Sequence, residues 1–181
     1  MLRDLKLGPN IFVLGTKKFQ AYLETQGFKH TDKNPKAVLI GFDRELTFDK
    51  FATALQLVDK GVPLLASHPD ACCPSAQGPL PDAGCILSAI KTGTGVSPIA
   101  IAGKPHHWIV QVALENFNVK PSEIAIVGDR LQTDMTMAKK NKMKSILVLT
   151  GITKKQDLKS SKIKPDLVAN SIADLTKKIW F

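Results

Sequence analysis

The sequence predicts an α/β fold built on parallel β-strands, and three observations lead to that prediction. Seven short strand-like runs recur along the 181 residues. Most of these runs are continuously apolar rather than alternating, which is typical of parallel strands that are covered on both faces. Helical stretches separate several of them, as in βαβ units.

The strand-like runs are spread from the start of the chain almost to its end. In order they are NIFVLG (10–15), KAVLIGF (36–42), VPLLAS (62–67), PIAIAG (98–103), IAIVG (124–128), SILVLT (145–150) and the weaker DLVAN (166–170). A length of 181 residues suits one ordinary domain or two small ones.

Two helices carry clear end signals. Thr47 is predicted to cap a helix that stops at Gly61, with apolar residues at helical spacing between them: Phe48, Phe51, Ala52, Leu55 and Val58. Pro105 fits the first turn of a second helix, one face of which carries Ile109, Val112, Ala113 and Phe117.

Two further segments indicate how the chain is organised. Residues 68–84 are rich in Pro, Gly and Ala without periodicity, so we expect a structured loop. The glycines of KTGTGVSP (91–98) match neither G-x-x-x-x-G-K-[ST] nor G-x-G-x-x-G, and a helix end followed by a turn explains them. We expect a boundary near 95–98, which gives a first unit of residues 1–97 and a second of 98–181.

Charge, hydropathy and cysteine content indicate which binding partners and which cellular compartment to expect. The net charge of +9 is concentrated in residues 137–181, which hold eleven lysines and three acids. No aromatic residues interleave with these lysines, so a solvated face is favoured over a nucleic-acid site. No apolar run approaches the ~20 residues of a membrane span. Three cysteines without disulfide or zinc spacing indicate the reducing cytoplasm.

Charged residues follow two of the predicted strands. IAIAGKP leads to Lys104, and IAIVGDRLQTD leads to Asp129 and Asp134. Ligands of open parallel sheets bind at the carboxyl ends of strands. A carboxylate there can hold Mg²⁺, and a lysine can neutralise a phosphate. Asp134 begins the next helix, where it can cap the helix or orient its neighbours.

These strand ends carry a family resemblance. GKP, followed by IVGDRLQTDM, resembles motifs III and IV of the haloacid dehalogenase (HAD) superfamily, and more narrowly its NagD or 4-nitrophenylphosphatase branch. The resemblance extends over roughly residues 10–178. It implies an α/β cap domain in residues 1–97 and the C-terminal half of a Rossmann-like HAD core in residues 98–181.

The resemblance also implies roles for individual residues. Lys104 matches the phosphate-neutralising lysine, Asp129 the Mg²⁺ ligand and Asp134 the second acidic residue, the first and last being catalytic. The expected substrate-binding residues are Ser67, His68, Pro69 and Asp70 of the SHPD loop, together with Arg130. Asp43 and Asp70 are the internal candidates for an improvised nucleophile; we expect Asp43 to brace a turn instead.

The first two motifs of the resemblance have no counterpart. None of the twelve aspartates is followed two residues later by another, so the D-x-D that supplies the family's nucleophile does not occur. In the family both motifs would precede residue 10. The expectation is therefore a Mg²⁺-dependent phosphatase of small phosphorylated metabolites, represented by an incomplete chain that is inactive alone.

An alternative remains open beside the phosphatase. The chain could be a non-enzymatic remnant that binds phosphate ligands or a partner chain through an open sheet edge. The edge is expected at IAIVG (124–128), because the family places the absent strand beside it. Exposed apolar edges pair with other strands, which predicts a homo-oligomer or a complementing N-terminal fragment.

Overall fold

The computed structural model describes the backbone of residues 1–179 and the side chains of residues 1–177. Two compact units make up the chain, divided between Gly103 and Lys104. Each unit has its own parallel sheet with helices, so the predicted α/β class is confirmed.

The first unit contains a five-stranded parallel sheet in the order β2-β1-β3-β4-β7 and a small antiparallel hairpin formed by β5 and β6. Its elements are β1 (Asn10–Leu14), α1 (Lys17–Thr25), β2 (Lys29–His30), β3 (Val38–Ile40), α2 (Phe48–Asp59), β4 (Leu64–Ala66), β5 (Cys72–Cys73), β6 (Leu80–Pro81), α3 (Ala83–Thr94) and β7 (Ala100–Ile101).

Both faces of this sheet are covered, which explains why its strands are continuously apolar. One face packs Phe12, Leu14, Val38, Ile40 and Leu64 with residues of α2 and α3. The other face buries Ile11, Val13, Leu39 and Leu65 with Leu23 of α1. Successive strand residues point to opposite faces, so a strand that is buried on both sides has no polar positions to alternate with.

The helices of the first unit begin and end where the local chemistry requires. The Thr47 hydroxyl accepts a hydrogen bond from the Lys50 backbone N–H at 3.2 Å, as the sequence predicts. Gly61 and Gly95 follow α2 and α3 with φ of +88° and +74°, a region that favours glycine. The predicted helix end within residues 91–98 is therefore confirmed.

The sequence placed two features of the first unit incorrectly or incompletely. β7 pairs in parallel with β4, so the strand predicted after the boundary belongs to the first sheet, and the division falls after Gly103 instead of residue 97. Its apolar composition suits either sheet, which is why the sequence alone misplaced it. The predicted loop at 68–84 contains the β5–β6 hairpin.

The second unit contains a three-stranded parallel sheet in the order β10-β9-β8. Its elements are α4 (His107–Phe117), a 3₁₀ turn (Pro121–Glu123), β8 (Ala125–Gly128), a π-helical turn (Leu131–Met135), α5 (Thr136–Lys140), β9 (Lys144–Val148), α6 (Asp157–Ser160), β10 (Leu167–Ala169) and α7 (Ile172–Ile179).

Two apolar surfaces of the second unit remain exposed. Val110 of α4 is buried and packs with Leu114 against the α5 region, whereas the face that the sequence singled out is open: Ile109, Val112 and Phe117 are 47%, 56% and 74% exposed. Within the described residues, β8 pairs only with β9, so it forms an edge as predicted, and Val127 is 42% exposed there.

Among the described residues, no helix is both long and apolar enough to cross a membrane.

Candidate functional site

Asp129 lies immediately after β8 and is held by the loop that follows β9. Its carboxylate Oδ2 accepts a hydrogen bond from the Ile152 backbone N–H at 2.8 Å, and its backbone carbonyl accepts one from Thr153 N–H at 3.1 Å. Gly151 makes this approach possible, because a Cβ at that position would collide with the Asp129 carboxylate. The carboxylate is therefore fixed at the carboxyl end of the strand.

Asp134 occupies a buried position in the π-helical turn. Its Oδ2 accepts a hydrogen bond from the Arg130 backbone N–H at 3.1 Å, which turns the carboxylate back toward the start of the turn. The N–H groups of Asp134 and Met135 both donate to the Arg130 carbonyl, at 3.1 and 3.2 Å. A Cβ on Gly128 would lie 2.5 Å from the Asp134 Cβ, so only glycine fits there.

Lys104 reaches the same carboxylate from the beginning of the second unit. Its Nζ lies 2.6 Å from Asp134 Oδ1, and the lysine side chain stays 46% exposed while the aspartate side chain is 5% exposed. Three of the predicted site residues, Lys104, Arg130 and Asp134, are therefore linked, and Asp129 is the residue next to Arg130. The ammonium group is held but remains open to solvent on one side.

The carboxylate after β8 is the type of ligand that a hard cation prefers, but the described residues supply too few such ligands for a complete site. The carboxylate of Asp129 is an oxygen ligand of the kind Mg²⁺ prefers, and protein Mg²⁺ sites often use one or two carboxylates with waters and substrate phosphates. Within the part of the chain that the structure describes, no three His, Cys, Asp or Glu side chains lie close enough to hold a metal. These residues therefore fit Mg²⁺ as a partial site.

Thr133 is a polar residue of the π-helical turn that sequence reasoning missed. Its hydroxyl oxygen is buried and has no hydrogen-bond partner among the described residues. A buried hydroxyl without a partner is costly, so Thr133 is an unsatisfied polar group of the turn that carries Asp134. Nothing in the sequence around Thr133 distinguishes it from an ordinary helical threonine.

A second polar cluster lies in the first unit, at the carboxyl end of β4. Ser67 Oγ is 2.7 Å from His68 Nδ1, and His68 Nε2 is 2.7 Å from Asp82 Oδ1. The same Asp82 oxygen accepts the Ala83 N–H at 2.6 Å, so it also caps α3. The sequence predicted Ser67 and His68 but missed Asp82, whose only local signal is its place before a helix.

The remaining predicted residues of the first unit hold the local backbone in place. The Asp70 carbonyl accepts the Gly84 N–H at 2.8 Å, and the Pro69 carbonyl lies where a Cβ on Gly84 would otherwise sit. Asp43 accepts the Glu45 N–H at 2.8 Å and pairs with Lys50 Nζ at 3.1 Å. Asp43 therefore braces a turn, as predicted.

Comparisons with known proteins agree on one family. The HAD-hydrolase-like family profile matches residues 101–175. The chain is 32% identical over 164 residues to dihydroxyacetone phosphatase of Corynebacterium glutamicum, covering 91% of the chain and 59% of that protein. It therefore spans about three fifths of the length of that relative.

Solved structures extend the likeness to the fold. The 4-nitrophenylphosphatase of Thermotoga maritima superposes with a TM-score of 0.91 at 42% identity, covering 98% of this chain and 67% of that one. NagD of Escherichia coli gives 0.84 at 30% identity, covering 92% and 65%. A glycerol phosphate phosphatase of Mycobacterium tuberculosis, solved with calcium, gives 0.87 at 25% identity, covering 96% and 53%.

Proposed function

This chain belongs to the HAD-like hydrolase family, in the branch of NagD and the 4-nitrophenylphosphatases, and from that premise we propose that it serves a phosphatase of small phosphorylated metabolites. The observation that carries the proposal is the ion pair between the buried Asp134 carboxylate and the Lys104 ammonium, with Nζ 2.6 Å from Oδ1. The same carboxylate accepts the backbone N–H of Arg130, the residue after Asp129. A positive group and acidic groups that lie together in the second unit suit an anionic ester and a divalent cation.

Lys104 is proposed as the group that neutralises the transferring phosphoryl oxygens. Its ammonium is a compact point charge with three donors, of which one is taken by Asp134 in the structure. The other donors and the exposed side of the lysine are available to a phosphate. Asp134 then acts by positioning Lys104, because the buried carboxylate fixes where the long side chain ends.

Asp129 is proposed as a Mg²⁺ ligand. Bound there, the cation would screen the charge of the phosphate monoester and polarise its oxygens. The relative solved with calcium supports a divalent cation in this family, and the hard oxygen donor of Asp129 supports Mg²⁺ as the physiological ion. The Ile152 N–H, at 2.8 Å, orients the carboxylate for that role.

Substrate recognition is proposed for the SHPD loop and Arg130. Ser67 and His68 form a hydrogen-bonded pair that Asp82 anchors, so polar groups of a small metabolite would meet preset donors and acceptors. Pro69 and Asp70 continue this loop, and Arg130 adds a cation next to Asp129. The phosphorylated substrate class follows from the lysine and the cation site.

The nucleophile is proposed to lie outside these 181 residues. Because no D-x-D pair occurs in the sequence, the aspartyl-phosphate chemistry of the family needs a carboxylate from another segment or chain. The β8 edge and the open apolar face of α4 (Ile109, Val112 and Phe117) are the surfaces that such a complementing segment, or a second copy, would cover. The three free cysteines support the cytoplasm as the location.

Binding of Mg²⁺ and phosphate tests this proposal without requiring turnover. We expect titration calorimetry to detect Mg²⁺ binding that Asp129→Asn abolishes, and binding of inorganic phosphate that Lys104→Met weakens at least tenfold. Glu115→Gln removes one exposed carboxylate from α4 and serves as the matched control. Unchanged binding in both site variants would refute the assignment.

A second candidate function, binding of a partner chain without catalysis, is favoured by the exposed β8 edge and α4 face. Hydrolysis of 4-nitrophenyl phosphate with Mg²⁺ separates the two. The phosphatase proposal predicts no turnover by the chain alone, and turnover once the D-x-D segment of a relative is added. A complex that forms with that segment and stays inactive would favour the partner-binding role.

A further inference from the structure

Two cysteines of the first unit lie in the β5–β6 hairpin and in the helix that follows it. Cys72 is in β5, directly opposite Pro81 in the antiparallel ladder, and Cys85 is in the first turn of α3. Both side chains are exposed to solvent, and both are free thiols. Neither has a part in the proposed phosphatase site.

The backbone around these cysteines is fixed by hydrogen bonds between the two segments. The Ala71 carbonyl accepts the Asp82 N–H at 2.8 Å and the Cys85 thiol at 3.0 Å. Gly84 allows this approach, because a Cβ there would lie 2.9 Å from the Ala71 Cα. Ala71 is the residue before Cys72, so the Cys85 sulfur contacts the backbone next to Cys72.

The Cys85 thiol also affects the proton affinity of the Cys72 thiol. Desolvation, followed by the charge and the hydrogen bond of the Cys85 thiol, raises the pKa of the Cys72 thiol. A disulfide requires a backbone that brings the two Cβ atoms close together. The hydrogen bonds from the Asp82 N–H and the Cys85 thiol to the Ala71 carbonyl hold the two segments side by side, which favours such a bridge.

Cys73 is unsuited to either partnership. Successive strand residues point to opposite faces, so Cys73 faces away from the side on which Cys72 meets Cys85. Its thiol lies 3.8 Å from the Pro74 carbonyl, to which it donates. The sequence therefore supplies Cys73 as an internal control next to the pair.

We propose that Cys72 and Cys85 form an intramolecular disulfide when the protein meets a hydroperoxide. One thiolate attacks the peroxide O–O bond and becomes a sulfenic acid, with the leaving oxygen departing as water or an alcohol after protonation. The second thiolate then attacks that sulfur, forms the S–S bond and releases the sulfenic oxygen as water. Two electrons pass from the two sulfurs to the peroxide.

The bridge would close a loop that contains the hairpin. It would join the segment after Ser67 and His68 to the start of α3. The hydrogen bond between His68 and Asp82 already connects these two parts of the chain. A cross-link restricts the unfolded chain, so the oxidised first unit should unfold at a higher temperature than the reduced one. Hydroperoxide exposure would then stiffen the predicted substrate loop.

Peroxide treatment followed by a thiol count and mass mapping tests the proposal. The intact reduced chain has three reactive thiols, and we expect one after oxidation, in a monomer. Cleavage before Asp70 and Asp82 gives one peptide with Cys72 and Cys73 and another with Cys85. These peptides should stay joined, lighter by two hydrogens, until a reductant separates them.

Single variants identify the partners. Cys73→Ser should form the bridge and show the same rise in unfolding temperature, whereas Cys72→Ser and Cys85→Ser should show neither. A cross-link that persists in Cys72→Ser, a bond confined to the peptide with Cys72 and Cys73, or only cross-links between chains would each overturn the proposal. Three thiols remaining after peroxide treatment would overturn it as well.

Discussion

The Lys104 ammonium lies 2.6 Å from the buried Asp134 carboxylate, and that carboxylate also accepts the Arg130 backbone N–H at 3.1 Å. The aspartate thus joins a residue at the start of the second unit to the turn that follows β8. The exposed charge of the pair is the lysine and the buried one is the aspartate, so the pair presents a fixed cation to solvent.

A double-mutant cycle should reveal coupling between Lys104 and Asp134. We expect Lys104→Met and Asp134→Asn each to lower the free energy of unfolding, with a coupling of about 0.5–3 kcal/mol, as measured for residues in one hydrogen-bonded network. Half of the lysine is in water, so the lower part of that range is expected. Urea unfolding of the four proteins measures it, and strictly additive losses would contradict the pairing.

Gly128→Ala should displace Asp134. The added Cβ would fall 2.5 Å from the Asp134 Cβ, a separation that forces the π-helical turn to move. We expect a loss of about 1–3 kcal/mol in stability, typical of overpacking, together with weaker phosphate binding. Gly93→Ala is the control, because its added Cβ meets only the flexible end of the Leu55 side chain, at 3.0 Å. Gly93 lies in α3, and alanine forms helices better than glycine. Equal losses in the two variants would count against the steric explanation.

His30 should make the stability of the first unit depend on pH. Burial lowers the pKa of His30 below 6.5, with Lys50 acting in the same direction and Asp32 and Glu24 opposing it. The folded state then binds fewer protons than the unfolded one, so stability is fully present above about pH 6.5 and falls as the pH drops through the lower folded value. Protonation would also remove the Nδ1 acceptor of the Val13 N–H, at 3.0 Å.

The variant His30→Asn keeps an acceptor at that place and does not titrate. Between pH 5 and pH 8, the unfolding temperature of the variant should therefore depend less on pH than that of the original chain. Some pH dependence should remain in both proteins because of His106. Burial, with smaller effects of Lys140 and His107, lowers the pKa of His106 too, and its loss has the same sign. Parallel profiles for the two proteins would show that His30 has no such role.

Asp166 and Ser145 should stabilise the second unit down to acidic pH. Asp166 Oδ2 accepts the Ser145 hydroxyl at 2.6 Å and the Ser145 N–H at 2.8 Å, and these bonds lower the pKa of Asp166. A depressed carboxyl pKa gives stability that is present above the unfolded value near 4 and is lost as the pH falls through the folded one. Ser145→Ala should destabilise the unit by about 0.5–1.5 kcal/mol at pH 7 and by less at pH 3.

Urea midpoints of the original chain and Ser145→Ala at both pH values measure this difference. Ser160→Ala removes an exposed hydroxyl that has a long bond, at 3.3 Å, to Asp157, and it should change neither midpoint appreciably. If the gap between Ser145→Ala and the original chain were the same at pH 3 and pH 7, the charge of Asp166 would have no part in it.

Val127→Lys should reduce self-association through the β8 edge. Val127 is 42% exposed on a strand that pairs only with β9 within the described residues, and a lysine on an edge strand opposes pairing with another strand. Light scattering after gel filtration should show less oligomer for this variant than for Ile172→Lys, an exposed position at the start of α7. Identical masses for the original chain and both variants would remove β8 as the association surface.

Much of the fold could be predicted because burial leaves a record in composition. Strands covered on both faces must be continuously apolar, and Thr47 and Gly61 mark helix ends through local hydrogen bonding and backbone conformation. The sheet to which β7 belongs could not be predicted, because pairing with β4 is a long-range choice among equally apolar strands. The buried side of α4 was missed for the same reason: Val110 and Ile109 are alike in sequence.

The candidate site was predictable in its residues and less so in its connections. Asp129, Arg130 and Asp134 follow β8, at the carboxyl end of a parallel strand, where ligand groups gather. Lys104 follows β7, which belongs to the other sheet. That Lys104 would pair with Asp134 depends on the π-helical turn, which the sequence does not announce. Asp82 was missed because a helix cap and a histidine partner need the same residue type.

The shared use of Asp82 has a consequence for how this loop can change during evolution. Serine, threonine or asparagine at position 82 could still start α3, but each would hold His68 differently or not at all. A single substitution at position 82 would thus change how the His68 ring is held while α3 stays capped. Descendants of this protein would have a short mutational route toward new ligand preferences.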